Sequence, residues 1–103
     1  MIAITVKENN INSEINDCFG KSEYFFLFNN ENKKHKFIKN PGKEVNKMSG
    51  KKAALFLIKE GVNTIVSTNF GAEVKKLFDK HNIQMVIASN KYKYLKDINW
   101  LFN

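Results

Sequence analysis

Apolar residues in this chain fall into short blocks separated by polar stretches, and the blocks follow two different periods. Residues 1–6 (MIAITV) are β-branched and apolar on both alternating faces, the pattern of a strand in the middle of a sheet. Residues 7–17 are polar and read as a loop that ends at Cys18-Phe19-Gly20. Residues 24–28 (YFFLF) are again apolar on both faces. After Asn29-Asn30-Glu31-Asn32, which has turn chemistry, residues 33–39 return with Phe37 and Ile38 among lysines and His35. Two such runs predict a hairpin, and the lysine-studded second arm suits a sheet edge, where charge discourages pairing with other chains.

Asn40-Pro41-Gly42 breaks the hairpin, and the period then changes. Ala53, Ala54, Leu57 and Ile58 recur at helical spacing toward Gly61, a left-handed stop. Residues 62–67 predict another strand. Val74, Leu77, Phe78 and His81 lie three and four apart on one helical face, and residues 83–88 predict a fifth strand. Ser89 or Asn90 can cap a last helix in which Leu95, Ile98 and Leu101 or Phe102 face inward, so that Trp100-Leu101-Phe102 reads as core. The order is βββαβαβα, with no internal repeat and no boundary, so residues 1–103 read as one domain. Right-handed crossovers put the fourth and fifth strands beside the first, with the hairpin on its other side. The expected fold is α/β: a five-stranded mixed sheet of order 3-2-1-4-5, the ribonuclease H-like arrangement, with helices on its faces.

A chain of 103 residues can bury one core without a disulfide framework, and its single cysteine cannot form an internal bridge. The opening apolar run is too short for a signal peptide, and no run approaches the roughly 18 apolar residues of a spanning helix. A cytoplasmic protein with no membrane partner is expected. The net charge of +7 raises nucleic acid as a partner, yet all 17 basic residues are lysine. Without arginine's rigid fork for bidentate phosphate and base contacts, a solvated lysine surface is the favoured reading.

A two-metal nuclease needs acids converging on the sheet, but the first strand carries no carboxylate, Glu8 lies beyond its end, and the other predicted strands add none. His35 and His81 lack a partner acid at a motif spacing, and the chain has neither a glycine-rich phosphate loop nor a GxSxG elbow. These absences point to a binder rather than an enzyme. Two places can hold a ligand. In VSTNFGAEV, residues 66–74, a strand ends where a helix begins, so backbone N–H groups with Ser67, Thr68 and Asn69 nearby suit an anion. Ordinary capping is the alternative there, since Glu73 already answers the helix dipole. The other place is Cys18-Phe19-Gly20. Strands one and four are expected to be parallel neighbours, so their two following turns meet in one crevice at the carboxyl ends. A lone cysteine is more often a small buried hydrophobe. One thiolate is also too few for a resident iron–sulfur cluster, which takes about four, but it can be the single, releasable anchor of a preassembled one.

The chain resembles the dinitrogenase iron–molybdenum cofactor biosynthesis family of NifX-like nitrogenase accessory domains. The segments MIAITVKENN, CFGKSEYFFLF, IKNP, GKKAALFLIKEGVNTIVSTNFG and LFDKHNIQMVIAS carry the resemblance in the family's order. Most specific are Phe19-Gly20-Lys21-Ser22 followed by Tyr24-Phe25, then Asn40-Pro41, and Asn69-Phe70-Gly71. The resemblance implies a ribonuclease H-like fold without nuclease activity that binds or carries iron–molybdenum cofactor or its iron–sulfur precursor. Members commonly carry histidine before the Phe-Gly pair. Here the position is Cys18, a softer ligand that suits iron–sulfur chemistry at least as well. Residues 41–50 carry lysines where some relatives are rich in histidine, cysteine and glycine, and Ser67-Thr68 precedes Asn69 where a glycine is usual.

The expected function is therefore non-enzymatic carriage of an iron–sulfur or iron–molybdenum type cluster, bound transiently in nitrogen fixation or a related process. Cys18 is the expected metal ligand, and Phe19, Gly20, Ser22, Asn69, Gly71 and Ala72 complete the expected site. In that scheme the Phe19-Gly20 backbone allows close approach. Asn69 and the Gly71 and Ala72 amides bind sulfides or an attached carboxylate, while Lys21, Lys51 and Lys52 supply positive charge. Expected partners are cluster donor and acceptor proteins, with the chain a monomer or weak homodimer. A protein-interaction or regulatory module that kept the fold without the cluster is the alternative, and a non-specific nucleic-acid binder ranks below it.

Overall fold

Strand β1 (Ile2–Val6) has a neighbour on each side and, with both faces of the sheet covered there, is buried at all five positions. β2 (Tyr24–Phe28) pairs with it antiparallel, from Ile2↔Phe28 to Val6↔Tyr24, and β4 (Thr64–Ser67) pairs parallel on the other side, from Ile2↔Thr64. β3 (His35–Lys39) extends the sheet beyond β2, and β5 (Gln84–Ile87) extends it beyond β4, giving the order β3-β2-β1-β4-β5. This is the mixed five-stranded sheet that the pattern predicts. The computed structural model describes residues 1–16, 18–44, 48–88 and 92–102, the last four of these as backbone.

Strand side chains alternate between faces, so the two apolar sets of each central strand feed two separate cores. Ala3, Phe25, Leu27 and Ile65 face helices α1 (Ser49–Lys59) and α2 (Ala72–Lys80), which contribute Ala53, Ala54, Leu57, Val74 and Phe78. Ile2, Ile4, Val6, Phe26, Phe28 and Val66 face the other way and are covered by Ile15, Ala88, Leu95 and Ile98. The two α-helices thus share one face. α1 ends on Gly61, whose φ of 85° is the left-handed stop expected of it.

The last element departs from expectation. Leu95–Phe102 is a 3₁₀ segment, kinked at Ile98, rather than an α-helix. Leu95 and Ile98 are buried as predicted, and their spacing of three suits three residues per turn as well as it suits an α-helix. The proposed caps Ser89 and Asn90, and the side chains of Trp100, Leu101 and Phe102, lie outside what the structure describes. Among the described residues no helix is long and apolar enough to cross a membrane.

Candidate functional site

Parallel pairing of β1 and β4 brings the turns after both strands to the same end of the sheet. Buried hydroxyls fasten them together there. Thr5 Oγ1 lies 3.0 Å from Ser67 Oγ and 3.3 Å from the Asn16 carbonyl, and Thr68 Oγ1 lies 3.5 Å from that carbonyl. The ring of Phe19 packs against Phe25, Phe70 and Phe78, at centroid distances of 5.7, 5.7 and 5.5 Å. The expected meeting of the Cys18 loop with the Asn69-Gly71 turn is present, made by the two phenylalanines.

Placement then separates the residues expected at the site. Cys18 is exposed, so it is not the small buried hydrophobe that lone cysteines usually are; its N–H lies 3.4 Å from Asn16 Oδ1. Phe19 is core. Gly20 is buried, and a Cβ on it would come within 2.7 Å of Gly50 N, so glycine is needed there for the approach of α1 rather than of a ligand. Ser22 is fully buried, and its hydroxyl lies 2.8 Å from the Tyr24 carbonyl and 3.3 Å from that of Val6, a structural place instead of the ligand contact expected. Asn69, Gly71 and Ala72 are exposed. Ser67 does not cap α2, because its hydroxyl sits against Thr5; the N-cap is Gly71, and no side chain caps the helix.

A cleft of about 460 Å³ lies beside this junction, lined by residues 48–51 and 71–74. Those two stretches are the N-caps and first turns of α1 and α2. Neither helix has a side-chain cap. The first intrahelical bonds run from Lys52 N–H to the Met48 carbonyl and from Lys75 N–H to the Gly71 carbonyl, both 3.0 Å. The N–H groups of residues 49–51 and 72–74 precede those bonds, as the opening amides of any α-helix do. Two positive dipole ends therefore share one cleft. Lys51 stands in its wall, and Glu73 in the opposite wall lies 3.9 Å from Lys76. Lys52 is exposed and outside the lining, and Lys21 Nζ donates to the Lys43 carbonyl at 3.1 Å.

Sequence reasoning found Lys51, Gly71 and Ala72 but missed the rest of the α1 half of the cleft, Met48, Ser49 and Gly50. The Ser49-Gly50 pair at a helix start was its only sequence signal. It also missed the structural role of Asn40, buried at 4% exposure, which the sequence marks only as a breaker and as part of the Asn40-Pro41 resemblance. Asn40 Nδ2 donates to the carbonyls of Gly20 and Ser22, each at 3.0 Å, and its Oδ1 accepts from Gly42 N–H at 2.8 Å. The Glu23 carboxylate hydrogen-bonded to Lys43 holds that ammonium above the usual lysine range. On the approach to Cys18, the Lys7 hydrogen bond holds the Glu14 carboxyl below the ordinary range, with the charges of Lys7 and Lys93 acting in the same sense. Among the described residues no group of three or more histidine, cysteine or acidic side chains is placed to hold a metal ion.

Solved structures with the same architecture include the apo form of the orange protein from Desulfovibrio gigas. It superposes with a TM-score of 0.85 at 16% identity, covering 97% of this chain and 85% of that one. A putative NifB protein from Thermotoga gives a TM-score of 0.79 at 17% identity, covering 97% and 84%. At such identities the likeness is one of fold. No curated protein matches the sequence. The family model described as dinitrogenase iron-molybdenum cofactor matches residues 1–98, nearly the whole chain, and the chain belongs to that family.

Proposed function

We propose that this chain is a non-enzymatic carrier of an iron–sulfur-based metallocluster, of the iron–molybdenum cofactor or precursor type, received from a donor protein and passed to an acceptor. The observation that carries the reading is the cleft shared by two uncapped helix N-termini, against which the loop of the exposed Cys18 packs through Gly20, with Cys18 itself outside the lining. Such clusters are anionic, and backbone amides at helix starts stabilise anions without a counter-ion. A bare metal ion needs several protein ligands at once, which the described residues do not assemble. A preassembled cluster brings its own sulfides, so one thiolate from Cys18 and the amides of the cleft suffice to hold it. One anchor also favours release.

The test is iron, molybdenum and sulfide content per chain after anaerobic incubation with a thiolate-ligated iron–sulfur cluster, with and without molybdenum. Wild type, Cys18→Ser and Gly71→Asp are compared. Gly71 sits at the N-cap of α2 with no atom within 4 Å of where a Cβ would be, so aspartate fits, caps the helix and places negative charge in the cleft. The expected result is metal on the wild type, none on Cys18→Ser, and weakened retention on a Gly71→Asp protein that is more heat-stable than wild type. Wild type that retains no cluster overturns the carrier reading. Equal metal on wild type and Cys18→Ser removes Cys18 as the anchor.

A further inference from the structure

We propose that Asn40 is the positioning residue of the Cys18 loop, locking that loop and the start of α1 into one unit. Between β1 and β2, residues 20–23 are fastened to the turn that follows β3. Besides the two bonds from Asn40 Nδ2 to Gly20 and Ser22, the Asn40 N–H donates to the Glu23 carbonyl at 3.2 Å, Lys43 pairs with the Glu23 carboxylate, and Lys21 Nζ reaches the Lys43 carbonyl. The same turn rests on α1, since a Cβ on Gly42 would lie 2.4 Å from the Ser49 carbonyl oxygen. Gly20 meets the next residue of α1, Gly50. Asn40 is therefore the shared joint between the loop that presents Cys18 and a wall of the cleft.

Only a primary amide fits this joint. Two carbonyls and one N–H surround the group, so both amide hydrogens and the amide oxygen are engaged and the orientation of the amide is fixed by its partners. Aspartate would lose both donors and set a charged oxygen against two carbonyl oxygens. Serine could satisfy only one of them. The functional meaning of this joint rests on Cys18 as the cluster anchor, but its existence can be tested without any cluster.

The experiment measures the rate of Cys18 alkylation by iodoacetamide in the folded protein, a rate set by the thiol's surroundings and access. Wild type, Asn40→Asp, Asn40→Ser and, as a remote core control, Ile83→Val are compared with an unstructured peptide spanning residues 14–22. The expected wild-type rate differs from the peptide's by about threefold or more, both Asn40 variants shift toward the peptide, and the Ile83 variant stays with wild type. A wild-type rate equal to the peptide's, Asn40 variants that keep the wild-type rate, or an Ile83 variant that shifts as they do overturns the proposal. Should the variants fail to fold, amide exchange of the wild type decides. Protection at Gly42 supports the joint, and free exchange there overturns it. Loss of metal retention in Cys18→Ser bears on the carrier reading alone, so the two can fail separately.

Discussion

Cys18-Phe19-Gly20 and Asn69-Phe70-Gly71 share one local plan just beyond two neighbouring parallel strands. In each, a polar or reactive residue is exposed, the phenylalanine enters the shared core, and a glycine follows. The glycines differ in their reason. Gly20 is pressed against the backbone of α1, whereas a Cβ at Gly71 would meet nothing within 4 Å, and its φ of −70° is open to any residue. The first tripeptide is a packed joint, and the second is an open threshold to the cleft. The same three-letter pattern can thus record a packing demand in one place and open space in another.

The phenylalanines should give the largest effects. Phe19→Ala should destabilise by about 3–5 kcal/mol, and Phe70→Ala by an amount near the low end of that range. Phe19 touches three aromatic rings and is 2% exposed, against two rings and 7% for Phe70. Equilibrium urea unfolding measures both, and a larger loss for Phe70→Ala would reverse the ranking of joint and threshold. The glycines come next. Gly20→Ala should lose about 1–3 kcal/mol because backbone atoms of Gly50 stand in the way, while Gly71→Ala should lose less than about 1 kcal/mol, the difference between two residues at a helix N-cap. Equal losses would break the comparison.

Smallest is the effect of Glu14, on the approach to the first tripeptide. Its folded pKa lies below the ordinary 4.5, so its contribution is present above that value and is lost as pH falls through the lower, folded value. Glu14→Gln should lower the neutral plateau of a melting-temperature-against-pH curve slightly and leave the acid end where it is, so that the acid limb flattens a little, as expected of an exposed pair. An unchanged acid limb would remove Glu14 as a support of the Cys18 approach.

The sheet was legible because each strand carries its position in its pattern: β1 is apolar on both faces, and β3 has lysines where an edge needs them. The crossover rule supplied the order. The last helix was misread because Leu95, Ile98 and Leu101 repeat every three residues, a spacing that does not separate 3₁₀ from α. Cys18 and Gly71 were legible as residues of the connections that meet beyond the parallel strands, but the exposure of Cys18 was not, because a lone cysteine is usually buried. Ser22 was not, because a serine's letter does not reveal that backbone carbonyls beside it will occupy its hydroxyl. Asn40 hid for a related reason. Its bond to Gly42 follows from the habit of asparagine in turns, but its bonds to Gly20 and Ser22 span 20 and 18 residues and exist only once the hairpin has folded.

At the first tripeptide, adhesion to the core and display to solvent fall on adjacent residues, Phe19 and Cys18. Inheritance can therefore edit the displayed residue without disturbing the architecture behind it. The side chain at position 18 can exchange a thiol for an imidazole or a hydroxyl while Phe19 holds the loop and the protein keeps its shape.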